Sequence, residues 1–123
     1  MKLETARNAA DLLAPLFDGR PDEALAVVHL DGDRRVVAVT QHEGEPHSAE
    51  LPFRAIVGEA LRLGSAALVL AHNHPGGARG PSEEDLAVTR RLAQVIEPRG
   101  IRLHDHLIFA GSDCLSFRGL GLL

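Results

Sequence analysis

Apolar positions along the chain alternate between helical and extended spacing. Residues 4–17 carry apolar side chains at helical intervals and predict a first helix, ending near Pro15 or at Asp18–Gly19. Residues 23–30 form a short, mostly apolar run that predicts a buried strand, and residues 34–41 predict a second one. An Asp-Gly-Asp turn signal separates the two runs, so we expect a hairpin.

The second half of the chain predicts two further helices and a group of short strands. In order, the pattern gives a loop at 42–51, a helix at 52–64, an apolar strand at 65–71, a helix at 82–100, and two or three short strands at 101–104, 105–110 and 114–118. The order α-β-β-α-β-α-β-β favours an α/β fold, in which a mixed sheet is flanked by helices.

The length and composition are those of one ordinary globular domain, which we expect to span residues 1–123. Hydrophobic residues make up 45% and charged residues 24%. No apolar run approaches the roughly 20 residues of a membrane span, and the first residues lack a secretory signal. With a single cysteine, Cys114, no internal disulfide can form, which fits a cytoplasmic location.

The charge balance argues against direct binding to nucleic acid. The net charge is −4, and residues 1–50 alone carry 10 acidic and 5 basic side chains. Four phenylalanines are the only aromatic residues among Phe, Tyr and Trp, so platforms for base stacking are scarce.

Two histidines and an aspartate form a candidate metal site. His72 and His74 stand where the apolar strand runs out, and side chains two apart in an extended segment point to the same face. Asp85 lies in the first turn of the following helix, after a Gly- and Pro-rich turn. Two imidazoles and one carboxylate suit Zn²⁺, which in catalytic sites leaves a fourth position to water.

Each of these residues also has an ordinary structural interpretation. Ser82 and Asp85 have the spacing of a capping box, and an acid in the first turn is favoured by the helix dipole. A His-x-His pair is often incidental. For Glu23, a candidate proton acceptor at the start of the first strand, local sequence favours a solvated carboxylate, and periodicity alone does not bring it near His72.

The spacing His72-x-His74, seven residues, Ser82, two residues, Asp85 resembles the signature of the JAMM (MPN+/JAB) zinc metalloproteases. The wider context resembles the RadC-like branch of that superfamily, in the stretches HNHPGG, PSEED, DHLIFA and SFRGLGLL and in Thr89. The similarity extends over nearly the whole chain from about Asp22 onward.

This resemblance implies a JAB/MPN fold, similar in outline to the zinc cytidine deaminases. It implies zinc held by His72, His74 and Asp85, a proton-carrying glutamate at Glu23, and an oxyanion-stabilising serine at Ser82. The implied activity is zinc-dependent hydrolysis of an amide bond, in an unknown peptide, isopeptide or small amide substrate.

The chain departs from the RadC-like pattern in two places. Gly76 replaces the serine that usually follows HNHP, and residues 1–20 predict only a short helix where relatives carry a helix-hairpin-helix segment. Two alternatives stay open, a DNA-repair accessory protein and a metal-free JAB scaffold that binds protein partners. A homodimer is compatible with either.

Other polar residues have weaker signals. His104, Asp105 and His106 lie between two predicted strands, and form either a second metal site, a shell that orients the first, or a locally paired connection, which we favour. The remaining candidates are better explained as surface or satisfied core residues: His29, His42, His47, Arg79, Arg90, Arg91 and Cys114.

Overall fold

The computed structural model describes residues 1–42, 52–76, 80–111 and 113–123. Its elements are α1 (Ala6–Phe17), β1 (Leu25–Leu30), β2 (Val36–His42), α2 (Phe53–Leu63), β3 (Ala67–Asn73), α3 (Glu83–Ile96), a short 3₁₀ helix (Glu97–Arg99), β4 (Arg102–Ala110) and β5 (Asp113–Ser116). The predicted order of helices and strands is confirmed from α1 to α3. Nearly all of the predicted loop at 42–51 falls outside the described residues.

Five strands form one mixed sheet in the order β2-β1-β3-β4-β5. The pairs β1·β2, β1·β3 and β4·β5 are antiparallel, whereas β3·β4 is parallel. The parallel pair needs a crossover, which α3 provides. The β1·β3 register pairs Leu25 with His72, so the start of β1 lies beside the end of β3.

Helices cover both sides of the sheet. One side packs against α1 through Ala9, Leu13 and Phe17. The other side packs against α2 and α3 through Ile56 and Leu92, among others. We call these sides the α1 face and the α3 face. Because β1 and β3 are buried at every position, their apolar runs lack the alternation of a half-exposed strand. The predicted α/β class is thus confirmed.

The prediction of two short strands at 101–104 and 105–110 is wrong, because both belong to the single strand β4. Leu68 pairs with Leu103 and Val69 with Asp105, so His104 is the extra residue of a β-bulge. The polar residues 104–106 therefore lie inside a strand and do not connect two strands. As a result Leu103 and His106 both belong to the α3 face, although three positions separate them.

The ends of the helices follow their local sequence. Helix α1 continues through Pro15 to Phe17, and α2 ends at Gly64, whose φ of 65° is the left-handed conformation that glycine adopts without strain. Among the described residues, no helix combines the length and the apolar character that crossing a membrane requires.

Candidate metal centre

The structure brings His72, His74 and Asp85 together in a buried group. The two histidines come from the end of β3, and Asp85 comes from the first turn of α3. His72 Nε2 lies 3.0 Å from His74 Nε2 and 3.2 Å from Asp85 Oδ1, and His74 Nε2 lies 3.3 Å from Asp85 Oδ2. The exposed fractions of the three residues are only 0%, 7% and 2%.

The spacing of these donor groups fits a small tetrahedral cation. Zinc–nitrogen and zinc–oxygen bonds of about 2.0–2.1 Å place neighbouring ligand atoms of a tetrahedron about 3.3 Å apart. The contacts of 3.0, 3.2 and 3.3 Å come close to that edge length, with His72 facing one carboxylate oxygen of Asp85 and His74 facing the other. The group of His72, His74 and Asp85 could therefore bind a metal ion, with each residue offering one atom.

Asp85 is held as a carboxylate. Burial alone would raise its pKa, but the neighbouring His72 imidazole and a hydrogen bond from the backbone N–H of Ser82 outweigh this and hold the pKa below the usual range of an aspartate. An ionised carboxylate is the form that binds a cation.

Ser82 is the N-cap of α3, and the predicted capping box is present. Its Oγ accepts a hydrogen bond from Asp85 N–H at 3.0 Å, and its own N–H donates to Asp85 Oδ2 at 2.9 Å. The cap therefore fixes the ligand Asp85 at two points. Because the Ser82 Oγ is the acceptor in this contact, the capping box does not use the hydroxyl hydrogen of Ser82 as a donor.

Asn73, between the two histidines, points to the α1 face and ties β3 to the segment before β1. Its Oδ1 accepts a hydrogen bond from Ala24 N–H at 2.7 Å, and its Nδ2 donates to the carbonyl of Asp22 at 3.1 Å. Half-buried Glu23 lies between these two residues, so its backbone is fixed beside the end of β3. The sequence pattern did not assign this role to Asn73.

His106 lies directly behind His72. Its Nε2 is 2.7 Å from His72 Nδ1, and its Nδ1 is 2.6 Å from Oγ1 of Thr89, which donates to the carbonyl of Asp85. The Phe117 ring stacks on the imidazole with centroids 4.5 Å apart. Burial, with a smaller effect of His72, lowers the pKa of His106 well below that of an ordinary histidine, so it is neutral. Local pairing, which we favoured, does not describe His106, because it contacts a residue of the candidate site.

Asp105 organises the turn that carries Phe117. Its Oδ1 accepts hydrogen bonds from the backbone N–H groups of His106 (2.7 Å) and Arg118 (3.0 Å), and its Oδ2 accepts one from the Ser116 hydroxyl. The Arg118 Nε donates to the carbonyl of His104. For Asp105, the prediction of local pairing agrees with these contacts, and none of them joins the metal-donor group.

A groove of about 980 Å³ reaches the site from the α1 face. It runs between α1 and the strands β4 and β5, and residues 73–75 line one part of it. Phe17 and Phe109, stacked with centroids 4.9 Å apart, give it an apolar wall, while Arg7 and Asp11 also line it. His74 thus belongs both to the donor group and to a space large enough for a ligand.

Those of the remaining candidates that the structure describes lie away from the donor group. His29 is a satisfied core residue, bonded to Ser65 and Thr40, and Arg91 is exposed over the Phe53 ring. His42 is bonded to Thr40, Arg90 is exposed, and His47 and Arg79 fall outside the described residues. Burial, together with the charge of Asp105, raises the pKa of Cys114 to about 11, which disfavours a reactive thiolate.

Comparisons with known proteins show the family to which the chain is similar. The family model of the RadC-like JAB domain matches residues 3–122. A UPF0758 protein of Thiobacillus denitrificans is 39% identical over 98% of this chain, and one of Polaromonas sp. is 36% identical over 97%. The UPF0758 protein YkfG of Escherichia coli is 40% identical over 82% of the chain and is covered over 65% of its own length. The chain spans 54% of the first two relatives.

Proposed function

The chain belongs to the RadC-like JAB domain family, and from this premise we propose that it is a zinc-dependent hydrolase of amide bonds. The observation that carries the proposal is the convergence of two buried imidazole nitrogens and a buried carboxylate, whose contacts of 3.0, 3.2 and 3.3 Å are near the edge length of a tetrahedral zinc site. In this proposal residues 1–123 act as one domain, and the ligands are His72, His74 and Asp85.

Zinc suits this donor set better than the harder divalent cations do. Imidazole nitrogens favour zinc and other transition metals, whereas magnesium and calcium favour oxygen ligands. With three protein ligands, a fourth position is left for water or for the substrate carbonyl. When bound, zinc would polarise that carbonyl and lower the pKa of the water to about 7.

Glu23 and Ser82 supply the remaining chemistry in this proposal. The Glu23 carboxylate takes the proton of the attacking water and passes it to the leaving nitrogen, which then departs as a neutral amine. The Ser82 hydroxyl donates to the oxygen on which negative charge develops. Support for Glu23 comes from its fixed backbone beside the end of β3, and support for Ser82 comes from its contacts with Asp85.

Metal analysis tests the first half of the proposal. The purified parent protein, dialysed against zinc and then against metal-free buffer, should retain one zinc ion per chain by mass spectrometry of the metal. His74→Ala should lose it, because one of the three donors is gone, whereas the matched control His42→Ala should keep it. A parent protein that retains no zinc would leave a protein-binding domain as the better account.

Hydrolysis of a peptide and isopeptide library, followed by mass spectrometry, tests the second half. Glu23→Gln keeps the zinc but should reduce cleavage by at least about 100-fold, the usual contribution of a general base. Glu83→Gln, an exposed acid at the start of α3, serves as the control and should cleave as the parent does. Equal cleavage by Glu23→Gln and the parent would refute the role of Glu23.

A further inference from the structure

Thr89, His106 and His72 form a continuous line of hydrogen-bonding groups that ends at the proposed metal. The contacts are 2.6 Å from Thr89 Oγ1 to His106 Nδ1 and 2.7 Å from His106 Nε2 to His72 Nδ1. The exposed fractions of the three residues are at most 2%, so water does not compete for these contacts. We call this line the histidine relay.

The hydrogens of the relay can be assigned from one end. The Thr89 hydroxyl has a single hydrogen, and it donates that hydrogen to the carbonyl of Asp85 at 2.7 Å. Its oxygen therefore accepts from His106, which must carry its hydrogen on Nδ1. His106 is 2% exposed and its ring contacts His72, Thr89 and Phe117, which bear no carboxylate to offset a charge, so its Nε2 carries no hydrogen and accepts from His72 Nδ1–H.

From this geometry we propose that Thr89 and His106 are positioning residues that hold His72 in the tautomer with hydrogen on Nδ1. That tautomer leaves the lone pair of His72 Nε2 directed at the donor group, 3.0 Å from His74 Nε2. The opposite tautomer would place a hydrogen on Nε2, and a protonated nitrogen cannot bind a metal. The inference rests on the proposed zinc site and adds to it the residues that make His72 ready for the ion.

Removing the Thr89 hydroxyl should weaken zinc binding without changing a ligand. In Thr89→Val, His106 Nδ1–H loses its acceptor in a buried site, so the His106 hydrogen moves to Nε2. His106 Nε2–H then donates to His72 Nδ1, and the hydrogen of His72 is displaced to its own Nε2. We expect zinc affinity to fall by about 10- to 100-fold, the usual effect of losing a partner of a metal ligand. Thr89→Ser restores the hydroxyl and should restore the affinity, which a purely structural role of the methyl group would not predict.

His106 offers a second pair of variants. His106→Leu removes the acceptor for His72 Nδ1–H and should weaken zinc binding to a similar extent, whereas the amide oxygen of His106→Gln can still accept. Zinc affinity is measured by competition with a chelator. Urea unfolding of each metal-free variant verifies that the variant is folded. The relay is overturned if Thr89→Val and His106→Leu bind zinc as tightly as the parent.

Nitrogen NMR of isotopically labelled histidine reads the tautomer directly. In the metal-free parent, about two pH units above the ordinary histidine pKa of about 6.5, His72 should carry its hydrogen on Nδ1, and Thr89→Val should move it to Nε2. A parent with hydrogen on Nε2 overturns the inference. Neither the zinc affinity nor the NMR measurement requires catalysis. If the chain binds no zinc, the proposed function fails, but the NMR measurement of the His72 tautomer still tests the histidine relay.

Discussion

Replacing Asp105 by alanine should destabilise the protein through the turn that carries Phe117. The carboxylate is 3% exposed and accepts hydrogen bonds from two backbone N–H groups, those of His106 and Arg118. A buried donor left without a partner costs about 1–3 kcal/mol, so the two together cost about 2–6 kcal/mol. The hydroxyl of Ser116 adds little, because this residue is partly exposed and its hydroxyl can donate to water instead.

A loss of that size is a large share of the total stability, since domains unfold with about 5–15 kcal/mol. Urea unfolding of metal-free protein should show a lower midpoint for Asp105→Ala with an unchanged m-value. Asp33→Ala, which removes an exposed turn carboxylate, is the control and should stay within about 0.5 kcal/mol of the parent. If Asp105→Ala costs less than about 1 kcal/mol, the turn does not depend on these hydrogen bonds.

Three further predictions concern the connection before β1, the metal and pH. Asn73→Ala leaves Ala24 N–H unpaired and should cost about 1–3 kcal/mol in urea unfolding, while Gln41→Ala, an exposed amide, should cost little; equal costs would contradict the bridging role. Zinc at about a thousandfold excess over its Kd should add about 4 kcal/mol to the free energy of unfolding, and this gain should vanish with a chelator or in His74→Ala. Because burial lowers the pKa of His29, this residue binds more protons in the unfolded state below pH about 6.5. It therefore lowers the free energy of unfolding there by at most about 1.4 kcal/mol per pH unit, in addition to the contribution of other histidines with a lowered pKa; His29→Asn should remove this part of the slope, and an unchanged slope would refute the reasoning.

The convergence of the three donors could be predicted because it is local. His72 and His74 are two apart at the end of one strand, and Asp85 lies in the first turn of the next helix, so all three residues fall within 14 positions of the sequence. The capping box of Ser82 follows from spacing in the same way. The roles of Glu23 and Ser82 in catalysis, by contrast, stay predictions.

Contacts between distant segments could not be predicted from spacing. Asn73 meets Asp22 and Ala24 across about 50 residues, through the antiparallel register of β1 and β3, which no local pattern specifies. Thr89 is partly an exception. It stands four positions after Asp85, and residues four apart share a helix face, so its position beside the site was available from the sequence.

The prediction that His106 lies in a locally paired connection between two strands was wrong for a different reason. Strict alternation along β4 would put Leu103 on the face opposite to His106, and the polar residues 104–106 interrupt an otherwise apolar pattern, so a break between two strands was expected. The β-bulge at His104 puts Leu103 and His106 on the same face of the sheet and keeps the polar residues 104–106 within one strand. Nothing in the residue types at these positions distinguishes a bulge from a loop.

The bulge also determines where the chain tolerates a change of length. Because His104 is the unpaired residue, its deletion would join Leu103 to Asp105 and leave the pairing of Val69 and of Leu70 with β4 as it is. An insertion after Asp105 would instead rotate His106 toward α1 and separate it from His72. Strand β4 can thus lose residue 104 during divergence, whereas an added residue after Asp105 would remove the contact of His106 with the proposed ligand His72.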